Sequence, residues 1–148
     1  MNDTKILMTI GYEGLRPEDF LEKLQENNVS FLIDVRQNPN SRKHGFSKSQ
    51  LEMFLQDNEI NYLHFQELGT PRELRQELKD NLDYKTFFEE YENYMREQKA
   101  SLNSLKDLVE KTTCCLMCFE KNYQECHRQV ISSAIVEMTN NKVEVRHI

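Results

Sequence analysis

The sequence predicts an α/β fold: a three-layer, mostly parallel sheet of about five strands with helices on both faces. Three observations predict it. Apolar runs rich in β-branched residues alternate along the chain with segments of helical period, the pattern of stacked β-α units. The central three runs lack polar alternation, as strands do when helices cover both faces of a parallel sheet. A chain of 148 residues also suits one domain, able to bury ~68–70% of the surface its unfolded form exposes, so a single domain over 1–148 is expected.

The elements follow in order. KILMTI (5–10) reads as the first strand, and Pro17 before Glu18 and Asp19 opens a helix with Phe20, Leu21 and Leu24 on one face. VSFLIDV (29–35) is the second strand. Ser47 with Gln50 forms a capping-box pattern ahead of Leu51, Phe54 and Leu55. INYLHF (60–65) is the third strand, and Thr70, Pro71 and Glu73 signal another helix start. Two further helices carry Phe87, Phe88, Tyr91, Tyr94 and Met95, then Leu102, Leu105, Leu108 and Val109. TCCLMCF (113–119) is the fourth strand. The last helix begins near Cys126 and turns Val130, Ile131, Ala134, Ile135 and Met138 inward, before a final strand at VEVRHI (143–148). No internal repeat or linker interrupts this series.

Composition excludes several classes of protein. With 38% hydrophobic and 30% charged residues the chain is a soluble globular type. Its apolar runs fall far short of the ~20 residues of a membrane span, and MNDTKILMTIGYEG lacks the basic region and cleavage site of a signal peptide, so a cytoplasmic location is expected. The net charge of −6 argues against a general nucleic-acid coat protein. One island runs the other way: from Val35 to Leu51 there is no acidic residue, while Arg36, Arg42, Lys43 and Lys48 are positive. That pattern fits a local anion site or a solvated basic loop.

Right-handed crossovers place every strand's carboxyl end on one edge of the sheet, where open α/β sheets bind ligands. Gly11, Tyr12, Glu13 and Gly14 follow the first strand; Asp34, Arg36, Asn38, Pro39, Ser41 and Arg42 end or follow the second. His64, Leu68, Gly69 and Thr70 lie at the third, and Cys118, Glu120, Cys126, His127 and Arg128 at the fourth. Arginine at a helix start, with its unsatisfied N–H groups, suits a phosphate or carboxylate, so Arg128 is a candidate anion ligand, with Arg36 and Arg42 opposite. Asp34 reads as the carboxylate that orients an arginine. Glu120 and His127 are candidates for proton transfer, and Cys126, near a helix start and Arg128, for a nucleophile. Gly11 permits close backbone approach, though G-x-x-G lacks the Lys-Ser/Thr of a P-loop.

The four cysteines crowd into positions 114–126, which suits a reducing compartment rather than a disulfide framework. On a strand, Cys115 and Cys118 point to opposite faces, so the C-x-x-C spacing is no zinc knuckle. Cys114 and Cys118 share a face but lie ~13 Å apart at ~3.3 Å per residue. Cys114 and Cys115 read as small buried hydrophobes. Cys118, Cys126 and His127 remain low-ranked metal candidates, and the sequence requires no cofactor.

TIGYEG, LIDVRQNPNSR followed by GFS, LGTP, CLMCFEKNYQECHR and the terminal VRHI together resemble the family of domain of unknown function 488. The resemblance spans nearly the whole chain. It implies a compact bacterial and archaeal α/β protein with motifs D-V-R-x-x-P-x-S-R and C-x-E…C-H-R, here Asp34, Val35, Arg36, Pro39, Ser41, Arg42, Cys118, Glu120, Cys126, His127 and Arg128. Members often carry serine or threonine after the first glycine, where this chain has Tyr12. The resemblance implies no established activity. The residues themselves lead to the expectation of an enzyme on a phosphate-bearing substrate, a nucleotide or nucleic-acid end. A non-catalytic nucleotide- or nucleic-acid-binding module is the alternative, and a Cys/His metal or redox site the third. The expected partner is thus a small-molecule or nucleic-acid phosphate ligand, with no membrane; the sequence leaves the oligomeric state open.

Overall fold

In the computed structural model, which describes residues 5–148, five strands line up in the order β3-β2-β4-β1-β5 and every neighbouring pair is parallel. They are β1 (Lys5–Gly11), β2 (Phe31–Asp34), β3 (Asn61–His64), β4 (Cys114–Cys118) and β5 (Val143–His147). The helices are α1 (Pro17–Glu26), α2 (Lys48–Gln56), α3 (Arg72–Asn81), α4 (Tyr84–Met95), α5 (Lys99–Lys111) and α6 (Arg128–Met138). Residues 1–4, part of the stretch read for a leader, lie outside the described residues. Among the described residues no helix is long and apolar enough to cross a membrane.

Alternation along each strand divides the core into two clusters, one on each face of the sheet. On one face Leu7, Ile33, Cys114, Leu116 and Cys118 meet Tyr91 and Met95 of α4, Leu105 and Val109 of α5, and Ile131 and Ile135 of α6. On the other, Met8, Ile10, Leu32, Cys115 and Met117 meet Phe20 and Leu24 of α1 and Leu51 and Leu55 of α2. The expected three layers are therefore present. Cys115 and Cys118 do face opposite sides, and Cys114 and Cys115 are buried free thiols.

Two helix starts depart from expectation. Ser47 precedes α2 but makes no cap bond; its hydroxyl bonds instead to the backbone N and O of Ser41, while Gln50 Oε1 accepts from Gly45 N. These groups serve the loop before the helix, because the loop's own backbone polar groups lack ladder partners. Pro71, not Thr70, stands at the N-cap of α3, and no side chain caps it. Helix α6 begins, as expected, near Cys126, at Arg128 with His127 as N-cap. A short 3-10 turn at Tyr123–Glu125 takes up the intervening chain, leaving Cys126 extended ahead of the helix rather than in its first turn.

Candidate functional site

The strand register builds the site. Gly11 pairs with Cys118, and Asp34 with both Met117 and His64, so the loops after β1, β4, β2 and β3 leave the sheet side by side. The pairing then runs past the strand ends: Tyr12 N donates to Cys118 O at 3.1 Å, Glu13 N to Phe119 O at 2.8 Å and Val35 N to Met117 O at 3.1 Å. Gly11 is required here, since a Cβ would collide with the carbonyl of Glu120 lying across it. Gly69 likewise leaves room for the backbone of Gln37.

Above this edge lies a cleft of about 400 Å³, within the size range of ligand sites. The β1 and β2 loops contribute Tyr12, Arg36, Gln37, Asn38 and Asn40. Helices α3 and α4 contribute Arg75, Leu78, Lys79, Tyr84 and Phe87, and the β4 side adds Cys118, Phe119, Glu120, Glu125 and His127. Arg75 reaches across the cleft, its Nη2 donating to Gln37 Oε1 at 3.0 Å.

Arg36 faces this cleft with most of its donors engaged. Its Nε donates to Asp34 Oδ1 at 2.9 Å and its Nη2 to Asp34 Oδ2 at 2.8 Å; Nη1 donates to Phe46 O at 2.7 Å and to the Tyr12 hydroxyl at 3.3 Å. Of five N–H groups one remains free. Burial opposes its charge, yet Asp34 holds its pKa above the ordinary arginine value. Tyr62 completes the buried cluster by donating to Asp34 Oδ2, and burial followed by the Asp34 charge raises its pKa. Asp34 thus orients Arg36, as its position suggested.

Arg128 is 1% exposed and works as a tie inside the fold. Nε donates to Thr9 Oγ1 at 3.2 Å, Nη1 to Cys118 Sγ at 3.0 Å and to Glu120 O, and Nη2 to Lys121 O at 3.1 Å. The structure therefore turns the expected anion ligand toward the carbonyls of the 120–121 loop, and burial lowers its pKa. Arg42 is exposed on the 36–47 loop and does not line the cleft. Ser41 is half-buried, its Oγ accepting from Lys43 N at 3.1 Å. The basic island is largely a latch: Lys43 Nζ donates to Tyr12 O, while Phe46 stacks on Tyr12 with ring centroids 4.6 Å apart.

Glu120 lines the cleft, and burial raises the pKa of its carboxyl despite Arg128 nearby. His127 is buried: its Nε2 donates to Val35 O at 2.6 Å, leaving Nδ1 facing Cys126 Sγ at 3.7 Å. Burial brings its pKa down to about 4, so the ring is neutral near pH 7. The sulfurs of Cys118 and Cys126 touch, close enough to be linked, which the clustering of cysteines did not lead one to expect.

Arg75, Lys79, Gln37 and Asn40 were not among the residues singled out in the sequence. One signal was there: Arg72, Arg75 and Lys79 repeat at helical spacing in an acidic chain.

Fold and cleft together define a parallel three-layer α/β protein with a cleft of mixed polar and apolar lining at the carboxyl edge of its sheet. The chain belongs to the family described as domain of unknown function DUF488, whose family model matches residues 16–135. No curated protein and no solved structure matches it.

Proposed function

We propose that the protein is an enzyme acting on a phosphate-bearing substrate, a nucleotide or nucleic-acid end, held in the cleft at the carboxyl edge. One observation carries this reading: in a chain of net charge −6, Arg36, Arg75 and Lys79 line one cleft together with Glu120. Arg75, Lys79 and the free N–H of Arg36 supply donors for phosphate oxygens. The amides of Gln37, Asn38 and Asn40 offer paired donors and acceptors suited to a base edge, and Leu78, Tyr84 and Phe87 an apolar wall for its face.

For hydrolysis, Glu120 takes a proton from the attacking water as its oxygen bonds to phosphorus, and returns it to the leaving oxygen as the old P–O bond breaks. Asp34 holds Arg36 in place. His127 is left out of proton transfer, because both ring nitrogens face protein atoms.

The test is a turnover screen on nucleotides and on nucleic acids with terminal phosphates, alongside thermal-shift binding. Glu120→Gln is expected to lose ~10²–10⁴-fold in rate while keeping affinity, and Arg75→Ala to lose affinity. Binding without turnover in the wild type makes the protein a receptor instead. Absence of both binding and turnover sinks the phosphate reading.

A further inference from the structure

We infer that Cys118, Cys126 and His127 form a site for one thiophilic divalent cation of the zinc class, at the floor of the cleft. The three come from different places: the tip of β4, the extended residue ahead of α6, and the N-cap of that helix. Their ligand atoms lie within 4.8 Å of one another, and all three residues are buried. Zinc–sulfur bonds of ~2.3 Å and zinc–nitrogen bonds of ~2.0–2.1 Å in a tetrahedron set such donors ~3.5–4 Å apart. His127 Nδ1 and Cys126 Sγ already stand 3.7 Å apart, and the two touching sulfurs would separate by side-chain rotation to admit the ion.

Three features favour a shared ion over a link between the two sulfurs. First, the Cα atoms of Cys118 and Cys126 stand 7.7 Å apart, beyond the ~4.4–6.8 Å that disulfides span. Second, the imidazole is already set as a ligand. Its Nε2–H is given to Val35 O, which leaves the Nδ1 lone pair aimed at the sulfurs, the arrangement by which a backbone carbonyl orients a metal-binding histidine. Third, Arg128 donates an N–H to Cys118 Sγ at 3.0 Å, so that sulfur acts as an acceptor, as metal-bound thiolates do. Two thiolates, a neutral imidazole and a divalent ion sum to zero charge, which a buried site tolerates. Cys114 and Cys115 have no imidazole partner, and Cys115 lies on the other face of the sheet.

Cys118 and His127 line the cleft, as does Glu120. A Cys₂His set therefore leaves its fourth position on the cleft side, open to Glu120, water or a substrate oxygen, as catalytic zinc sites do. This goes beyond the phosphate reading and does not depend on it.

The full chain, purified without chelator, is expected to carry one equivalent of zinc by elemental analysis and native mass. After removal of zinc, cobalt(II) added to the wild type should give sulfur-to-cobalt charge-transfer bands and tetrahedral ligand-field bands. Cys118→Ser and Cys126→Ser should each weaken cobalt binding ~100-fold or more and bleach the charge-transfer band, whereas Cys114→Ser should leave both unchanged. If either serine variant proves unfolded by circular dichroism, the wild-type cobalt spectrum and His127→Gln decide the matter. The inference is overturned by an intact mass showing a Cys118–Cys126 disulfide in metal-free protein. It is equally overturned by four free thiols with no cobalt spectrum. These readouts need no substrate, so failure here leaves the phosphate reading standing, and the reverse.

Discussion

Arg36 and Arg128 each direct four of five N–H groups at protein atoms, and that sets what they do. Arg36 forms a buried bidentate pair with Asp34, so Arg36→Ala leaves an uncompensated carboxylate in the interior and should destabilise the fold by ~3–5 kcal/mol in chemical denaturation. Arg75, on a helix that buries no residue, should cost less than ~0.5 kcal/mol when changed to alanine, yet remove most phosphate affinity. A stability loss at Arg75 matching that at Arg36 would contradict this division of roles. The expectation that Asp34 pairs with an arginine was legible because the two lie two residues apart. That Arg128 reaches the carbonyls of Glu120 and Lys121 was not, because every residue has a carbonyl and the sequence carries no mark of which one will be near.

At the level of elements, the loops after β1 and β4 are welded across Gly11. The carbonyl of Glu120 occupies the space a Cβ would take, and the same carbonyl accepts from Arg128. Gly11→Ala must push the 119–121 segment away, breaking that bond and moving Glu120. The expected result is a loss of stability on the order of 1–3 kcal/mol together with loss of turnover. At Gly14 the space a Cβ would enter is open, with no atom within 4 Å, but φ is +81°. Alanine there should cost only the backbone strain of about 1 kcal/mol and spare activity. Equal loss of activity at both positions would show that the Glu120 contact is not what matters. The strand and helix order was legible throughout, since burial on both faces of β2 and β4 leaves uninterrupted apolar runs. The caps were misread at Ser47 and Thr70: a hydroxyl before a helix can serve the loop as readily as the helix, and only packing decides between them.

At the scale of the whole molecule, two cores separated by one sheet hold buried phenols that favour the neutral form. Burial, aided by the Asp34 charge, raises the Tyr62 pKa, and burial raises that of Tyr91, whose hydroxyl donates to Leu68 O. In the unfolded chain both ionise near pH ~10, so the folded state binds more protons above that point. Stability is therefore expected to hold below pH ~10 and to fall as pH rises beyond it. Ultraviolet titration should show these two phenolates forming only with the loss of far-ultraviolet circular dichroism. Ionisation of all six tyrosines ahead of unfolding would refute it.

The sequence by itself determined the layered α/β architecture, the common edge of the strand ends, and the opposite facing of Cys115 and Cys118, because these follow from local period and chain handedness. Only the tertiary structure decided which cations face the cleft and which are tied inward. It alone brought α3, with Arg75 and Lys79, over the strand ends, and drew the donor atoms of Cys118, Cys126 and His127, already grouped by their places in the sequence, within 4.8 Å of one another. The reason is physical: period and handedness are properties of neighbouring residues, whereas the partners of a guanidinium, a thiol or an imidazole are chosen by groups that meet only once the sheet has formed.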